Sequence, residues 1–467
     1  MTSLTLTAGD VAAASGGRVV AGNSAAPIGR IAIDSRAVAA GDFFVAIRGD
    51  RFDGHQFVAA ALSNGATGVL VDDAAAIEGI GANAAIVQAG DTTRALQAVA
   101  RHVRRASGTK VVAITGSAGK TTTKEVCAEL LSARYSVFRN QGNLNNHIGL
   151  PLSLLELRAR PEVAVVELGM NHPGEISTLV AIAEPEVRVW TNVGDAHIGF
   201  FATAEAIADA KAEILEGATA DTLLVANADD SRVMARSRAF AGKLMSFGTA
   251  ELADVQATAV EMRGLDGIRA RVRTPAGEFT LDTPLTGFGN LSNVLAATAV
   301  AVHFDVPLQS IADRAAHLKP AHHRGELLRL PGGLTLIDDS YNSSPAALKR
   351  SLEILAAANG SARKIAVLGE MLELGTHSDR LHRECGRAAY SADLDLLVAV
   401  GGAAAQALAD EAKAAGLPSS QIVVAADKTA AVEEVLRRVR PGDLVLVKGS
   451  RGIGLDLVVD RLKAEFA

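Results

Sequence analysis

Lys120 stands between a glycine and three threonines in the stretch VVAITGSAGKTTTKE, residues 111 to 125. An apolar strand, a glycine turn and a helix start, in that order, bring backbone N–H groups and the positive end of a helix to one point, which suits a phosphate chain. Lys120 adds a mobile charge for the outer phosphates. Thr121, directly after it, is where such loops place a hydroxyl on Mg²⁺. The spacing departs from the common phosphate loop, because Gly116 and Gly119 enclose only Ser117 and Ala118. An ordinary strand-to-helix turn with an exposed lysine is the competing reading of these residues alone.

Other residue types with chemical capacity fall at comparable places. Glu167 ends the apolar run VAVVEL, at the carboxyl end of a strand where ligands collect in open α/β sheets, and a carboxylate there can hold a metal. His197 follows the run VRVWTNV in the same way, as a metal or phosphate ligand or as a buried histidine bonded to backbone. In ATAEAIADAKAEILEG, Ile207, Lys211, Ile214 and Leu215 share one helical stripe. Lys211 either snorkels to water or is buried, with an amine neutral enough to take up CO₂ as an anionic carbamate. Asn143, Asn145 and Asn146 crowd into a glycine-punctuated stretch, as neutral donors to sugar or phosphate oxygens or as turn formers. Asn290 and Asn293 lie in the first turns of GFGNLSNVLAATAVA, where capping explains one of them. Towards the C-terminus, LTLIDDSYNSSPAAL presents Asp338, Asp339, Tyr341 and Asn342 after a strand. Ser343, Ser344 and Pro345 there fit the start of a helix. VLVKGSRGIGLD offers Lys448, Ser450 and Arg451, cations suited to a substrate carboxylate.

Positioning such groups needs α/β elements, and the pattern supplies them. From Lys110 to about Val225, KVVAIT, VAVVEL, VRVWTNV and TLLVAN alternate with helical stretches, as in a parallel sheet covered on both faces. After Lys319-Pro320 a second series begins, with LTLID, KIAVLG, LLVAVGG, QIVVAAD and DLVLVKG as strands. The first hundred or so residues hold shorter strands and a helix over HQFVAAALSNGA. The expected organisation is three domains, with boundaries 1–107, 108–319 and 320–467: a small mixed α/β unit, a P-loop-type parallel-sheet domain and a Rossmann-like open α/β domain. The 467 residues, 49% hydrophobic and 21% charged, are enough for several cores. A net charge of −6, without a basic run, argues against nucleic acid or an anionic membrane as partner. Two separated cysteines exclude a disulfide framework and fit a reducing cytoplasm. The start has neither basic leader nor apolar core, and the longest apolar stretch is too short to span a bilayer, so a soluble, cytoplasmic protein is expected.

Taken in order, TGSAGKTT, GNLNNHIGLP, VVELGMNHPGEI, TNVGDAHIG, AKAEI, GNLSNVLAA and DDSYNSSPAAL resemble the Mur ligases, ATP-dependent amide-forming enzymes of bacterial cell-wall precursor synthesis, over essentially the whole chain. The shortened loop is that family's own variant. The resemblance implies ATP and two Mg²⁺ sites. Gly116, Ser117, Ala118, Gly119, Lys120, Thr121 and Thr122 would hold the phosphates, Thr121 and Glu167 one metal, and His197 and carbamylated Lys211 the other. It puts Asn290 at the adenine, Arg324 at the γ-phosphate edge and Asp339 at the ribose. IDSRAVAAGDFFVAIRGDRFDGH looks like the family's UDP-binding domain, with Ser35, Arg36 and His55 at the UDP end. Asn143, Asn145, Tyr341, Asn342, Lys448 and Arg451 are the remaining substrate-binding candidates. YNSSPAALKRSL and LGEMLELG resemble the branch that adds D-alanyl-D-alanine to UDP-N-acetylmuramoyl-tripeptide, acting as a monomer. The alternative is the branch that adds the third residue of the peptide, whose Asp-Asn-Pro-Arg signature is absent. Two positions depart from the pattern: Glu370 replaces a usual Asp, and Ser343-Ser344 replaces Ala-Asn.

Overall fold

The computed structural model describes residues 3–49, 52–77, 84–195, 198–201, 203–358, 360 and 363–466. His197 lies outside them. The chain forms two compact units, Met1–Ala113 with Tyr135–Met170 and Gly174–Glu186, and Ile114–Arg134 with Asn171–Pro173 and Val187–Ala467. This grouping cuts across the expected central segment.

In the first unit a five-stranded sheet runs in the order Arg18–Ala21, Ala85–Gln88, Gly68–Val71, Phe43–Val45, Ile31–Ala32. Only its first pair is antiparallel. Phe44, Val58, Ala61, Val69, Val71 and Ile86 make its core, each buried Val, Ile or Phe side chain contributing about 1.5–3 kcal/mol. The expected helix over HQFVAAALSNGA starts as a tighter 3₁₀ turn, Gly54–Phe57, because the Asp53 carboxylate takes the His55 N–H, and becomes α-helical over Val58–Ser63. The helix Thr92–Ser107 buries one stripe, Leu96, Val99, Ala100 and Val103, and is capped by Asp91. Val163–Glu167 pairs parallel with Val137–Arg139 and is buried throughout.

The strand Lys110–Thr115 carries the chain into the second unit and delivers the glycine turn. There Val187–Trp190, Leu223–Asn227, Lys243–Gly248 and Val255–Met262 run parallel, the first two as expected. The sheet continues past the expected end near Val225, and closes on the antiparallel hairpin Ile268–Thr274 and Gly277–Thr283. In this hairpin Ile268, Ala270 and Val272 are buried and the arginines between them exposed, the alternation of a half-solvated sheet. The C-terminal sheet has the order Glu326–Arg329, Thr335–Asp339, Leu444–Lys448, Lys364–Gly369, Leu396–Val400, Ile422–Ala425. All but its first strand are parallel, and Leu336, Ile365, Val367, Val398, Val445 and Val447 fill its core. Among the described residues no helix is long and apolar enough to cross a membrane.

Candidate functional site

The turn after Lys110–Thr115 is shaped by its two glycines. Gly116 has φ +152°, and a Cβ there would meet the Thr191 hydroxyl at 1.9 Å. Gly119 caps the helix Lys120–Leu131 at φ +83°, and its Cβ would meet the Asn293 side-chain oxygen at 2.2 Å. Both positions therefore require glycine on two counts. Lys120 and Thr121 open the helix, and the Lys120 ammonium donates back across the turn to the Gly116 carbonyl at 2.8 Å.

Two asparagines hold this loop. The Asn192 side chain accepts the Ala118 N–H at 2.9 Å and donates to its carbonyl at 3.0 Å, while the Ser117 N–H donates to the Asn192 carbonyl at 3.0 Å. Asn293, 7% exposed, accepts the Thr123 hydroxyl at 3.2 Å. Asn192 went unnoticed in the sequence, where it reads as one more residue after a strand. Ser117 and Ala118, expected at phosphate, thus spend their amides on Asn192. Asn290 donates to the Thr286 carbonyl at 2.9 Å and accepts from Asn293 at 3.3 Å.

Lys211 closes the helix Ala204–Ala212, which is capped by Thr203. It is 1% exposed, beside Ile207 and Ile214 at 0%, so the side chain is buried and does not snorkel. Burial pushes its amine well below the usual lysine range, and the Lys120 charge pushes it further the same way. Arg188 pins the carbonyls of Ile214 and Glu216 just beyond, fixing the end of this segment. Gly199, in the turn Ile198–Phe200, donates to the Glu373 carbonyl at 2.9 Å; a Cβ there would sit 2.6 Å from that oxygen.

In the C-terminal sheet the turn after Thr335–Asp339 is held from several sides. Asp338, fully buried, takes the His323 ring at 2.6 Å and the Ser340 hydroxyl at 2.6 Å. Asp339 takes the Lys448 ammonium at 2.6 Å and the Ser351 hydroxyl at 2.7 Å, and Lys448 also donates to the Asn342 carbonyl at 3.0 Å. Lys448 is 2% exposed, so in this arrangement it holds the turn. Arg324 and Arg451 lie over the Tyr341 ring, 4.2 Å and 4.9 Å from its centroid. Ser344 is the N-cap of the helix Pro345–Ala357 with Pro345 at its first position, but neither serine caps through its hydroxyl, and the buried Ser343 hydroxyl has no hydrogen-bond partner among the described residues. The capping expected of these serines is thus corrected: the extended backbone at Ser344 and the proline start the helix. The longer Glu370 side chain reaches the N-terminus of Ala403–Ala415, accepting from Gly402 at 2.8 Å and from Ala404 and Ala405 at 3.2 Å.

In the first unit Glu167 is 4% exposed and accepts from Asn145 at 2.9 Å, while its own N–H donates to Asn140 at 3.0 Å. The Asn146 side chain accepts the Gly149 N–H at 2.8 Å where the helix Gly149–Leu155 begins, and Asn143 is exposed. Of the expected UDP group, Ser35 is buried and Arg36 is exposed in an ion pair with Asp34. His55 is wedged between Asp53 at 2.6 Å and the Asp72 N–H at 3.1 Å. Its ring therefore serves an internal network completed by Arg48, which also pairs with Asp72.

Three family descriptions match the chain in sequence: "Mur ligase family, catalytic domain" over residues 27–113, "Mur ligase middle domain" over 114–301, and "Mur ligase, glutamate ligase domain" over 323–451. The UDP-N-acetylmuramoyl-tripeptide--D-alanyl-D-alanine ligase of Bacillus subtilis is 33% identical over 432 residues, 92% of each chain. The crystal structure of MurF from Acinetobacter baumannii superposes with a TM-score of 0.88 at 31% identity, over 99% of this chain and 100% of that one. MurF ligase from Thermotoga maritima, solved in complex with ADP, gives a TM-score of 0.82 at 31% identity, covering 94% and 97%. With identity above 30% sustained over nine-tenths of both chains and three domain matches in the family's order, the chain belongs to the Mur ligase family.

Proposed function

We propose that the protein is an ATP-dependent ligase that joins D-alanyl-D-alanine to UDP-N-acetylmuramoyl-tripeptide in the cytoplasm, for peptidoglycan synthesis. The observation that carries this reading is the near-full-length similarity to ligases of that name. A glycine-turn lysine and a buried lysine whose charges oppose each other are the local chemistry that fits it. The domain division 1–107, 108–319 and 320–467 belongs to the same proposal.

A carboxylate is a poor acyl donor. Its oxygen attacks the γ-phosphorus of ATP, ADP departs, and the acyl phosphate is opened by the dipeptide amine, with loss of phosphate and a proton. Phosphoryl transfer asks chiefly for positioning and charge neutralisation. Lys120 supplies mobile positive charge, and Gly119, Lys120, Thr121 and Thr122 form the helix N-terminus that faces the phosphates. Since Ser117 and Ala118 are occupied by Asn192, their part is to set the loop's shape.

Mg²⁺ would be held by Thr121, Glu167, His197 and carbamylated Lys211, and when bound it neutralises phosphate charge. The donor chemistry fits on one condition. As an ammonium beside Lys120, Lys211 would repel a cation; as the neutral amine favoured by burial it adds CO₂, releases a proton and becomes an anionic ligand. Asn290, Arg324 and Asp339 are proposed for the nucleotide, and Ser35, Arg36, Asn143, Asn145, Tyr341, Asn342 and Arg451 for the substrates. Lys448 and His55 are proposed as positioning residues, since both are buried in internal pairs.

The test is an acceptor comparison with the UDP-linked tripeptide and ATP. Phosphate release with D-alanyl-D-alanine is expected. Release with the dipeptide-bearing precursor and free diaminopimelate or lysine instead would replace this reading by the ligase that adds the third residue.

A further inference from the structure

We infer that the start of the helix Pro345–Ala357, together with the Ser343 hydroxyl just before it, holds the free carboxylate of the acceptor dipeptide in the reaction proposed above, on which this site depends. Three donors there have no partner among the described residues. The Ser343 side chain is buried at 7% exposure, yet its hydroxyl makes no hydrogen bond. Ser344, the N-cap of this thirteen-residue helix, has extended backbone and gives no side-chain cap. The first amide of the helix to find a partner is that of Leu348, on the Ser344 carbonyl at 2.8 Å, so the Ala346 and Ala347 N–H groups are left open. A buried hydroxyl without a partner is costly, and an oxygen ligand removes that cost. Ser343 precedes the N-cap, a position whose side chain commonly packs back on the first helical turn, which brings its hydroxyl to the open amides. The positive end of the helix dipole favours an anion at the same place.

The turn is fixed before any ligand arrives. Lys448 donates to the Asn342 carbonyl at 3.0 Å and to Asp339 at 2.6 Å, the Ser343 N–H donates to the Asn342 side chain at 2.9 Å, and Ser351 ties the helix to Asp339 at 2.7 Å. The strand Thr335–Asp339 pairs parallel with Leu444–Lys448 and ends here, at the edge of an open α/β sheet where ligands collect. The three donors are neutral, and Lys448, the cation bonded to this turn, is spent on Asp339. Two amides and a hydroxyl match the two oxygens and single charge of a carboxylate, whereas a phosphoryl group with about two charges calls for cations. Donors wrapped around the carboxylate that attacks phosphorus would hold back its lone pairs. The carboxylate of D-alanyl-D-alanine forms no bond in the reaction, so it can be held while the amine at the other end attacks. Ser343 stands where the family's pattern has Ala, so this donor is the chain's own.

Steady-state phosphate release by the full chain tests this, with D-alanyl-D-alanine and its C-terminal amide as alternative acceptors. Ser343→Ala is expected to raise the KM for D-alanyl-D-alanine about tenfold. The KM for the amide, already high in the wild type, should stay where it is, as should those for ATP and the tripeptide. The thermal midpoint should equal or exceed that of the wild type, because the substitution removes an unsatisfied buried hydroxyl. An unchanged KM for D-alanyl-D-alanine, an equal rise for acid and amide, or a rise confined to ATP or the tripeptide overturns the site. Absence of dipeptide-dependent phosphate release in the wild type overturns the ligase reading, and the site with it.

Discussion

At the scale of residues, the loop lysine and the buried lysine are the ones proposed to carry the chemistry, and each has its own test. Lys120→Ala removes the mobile charge at the phosphates, and phosphate release should fall by about 10²–10³; undiminished turnover would remove Lys120 from the site. For Lys211→Ala, activity should be lost and partly restored by short carboxylic acids that replace the carbamate; a variant as active as wild type and indifferent to such acids contradicts the carbamate. Spacing pointed to the place of both lysines, Lys120 at a helix start behind its glycines and Lys211 on an apolar stripe, but left open whether Lys211 was buried, which the structure decides. The contacts that hold the loop were not legible. Asn192 meets Ala118, and Asn293, noticed only as a residue in the first turns of a helix, meets Thr123, both across segments distant in sequence that no local pattern joins. The partner of Lys448 was not legible for a related reason: a cation at a strand's carboxyl end suits a ligand as well as it suits the half-buried Asp339 it meets.

At the scale of elements, strand runs and helix stripes appear largely where the apolar pattern puts them, because continuous β-branched runs can be satisfied only in a doubly covered parallel sheet. The hairpin at 268–283 was missed because its alternating arginines break the apolar signal while being an antiparallel signal in their own right. Element geometry also constrains the loop. Gly119→Ala must adopt φ +83° and collide with Asn293, so a loss of about 1–2 kcal/mol in unfolding free energy is expected. Adding Asn293→Ala should recover only the steric part, and a fully stable single variant would contradict the geometry. A second element-level prediction concerns His382, whose Nε2 accepts the Met371 N–H at 2.9 Å while Nδ1 donates to the Ser378 carbonyl at 2.8 Å. Burial holds this ring below the ordinary histidine value of 6.5, so its contribution is full above that pH and is lost as pH falls through the lower folded value. The thermal midpoint should drop as pH falls below about 6.5, and less so in His382→Gln; identical profiles would remove His382 as the cause.

At the scale of the whole molecule, each unit serves the reaction by what it fixes locally. The second carries the loop, Lys211 and the double-arginine turn; the first carries Glu167 and the expected UDP end. The Gly199–Glu373 bond shows how closely two loops of the second unit approach, closely enough to admit only glycine. The compact grouping of residues was the least legible feature, since it depends on contacts that no local pattern encodes. The central claim is that one oxygen of the tripeptide's carboxylate passes to phosphorus before the amide forms. The direct measurement is the mass of the phosphate released when that carboxylate carries ¹⁸O in both positions. One ¹⁸O in the phosphate and one retained in the new amide is the predicted result; phosphate without label, alongside amide product, would contradict it.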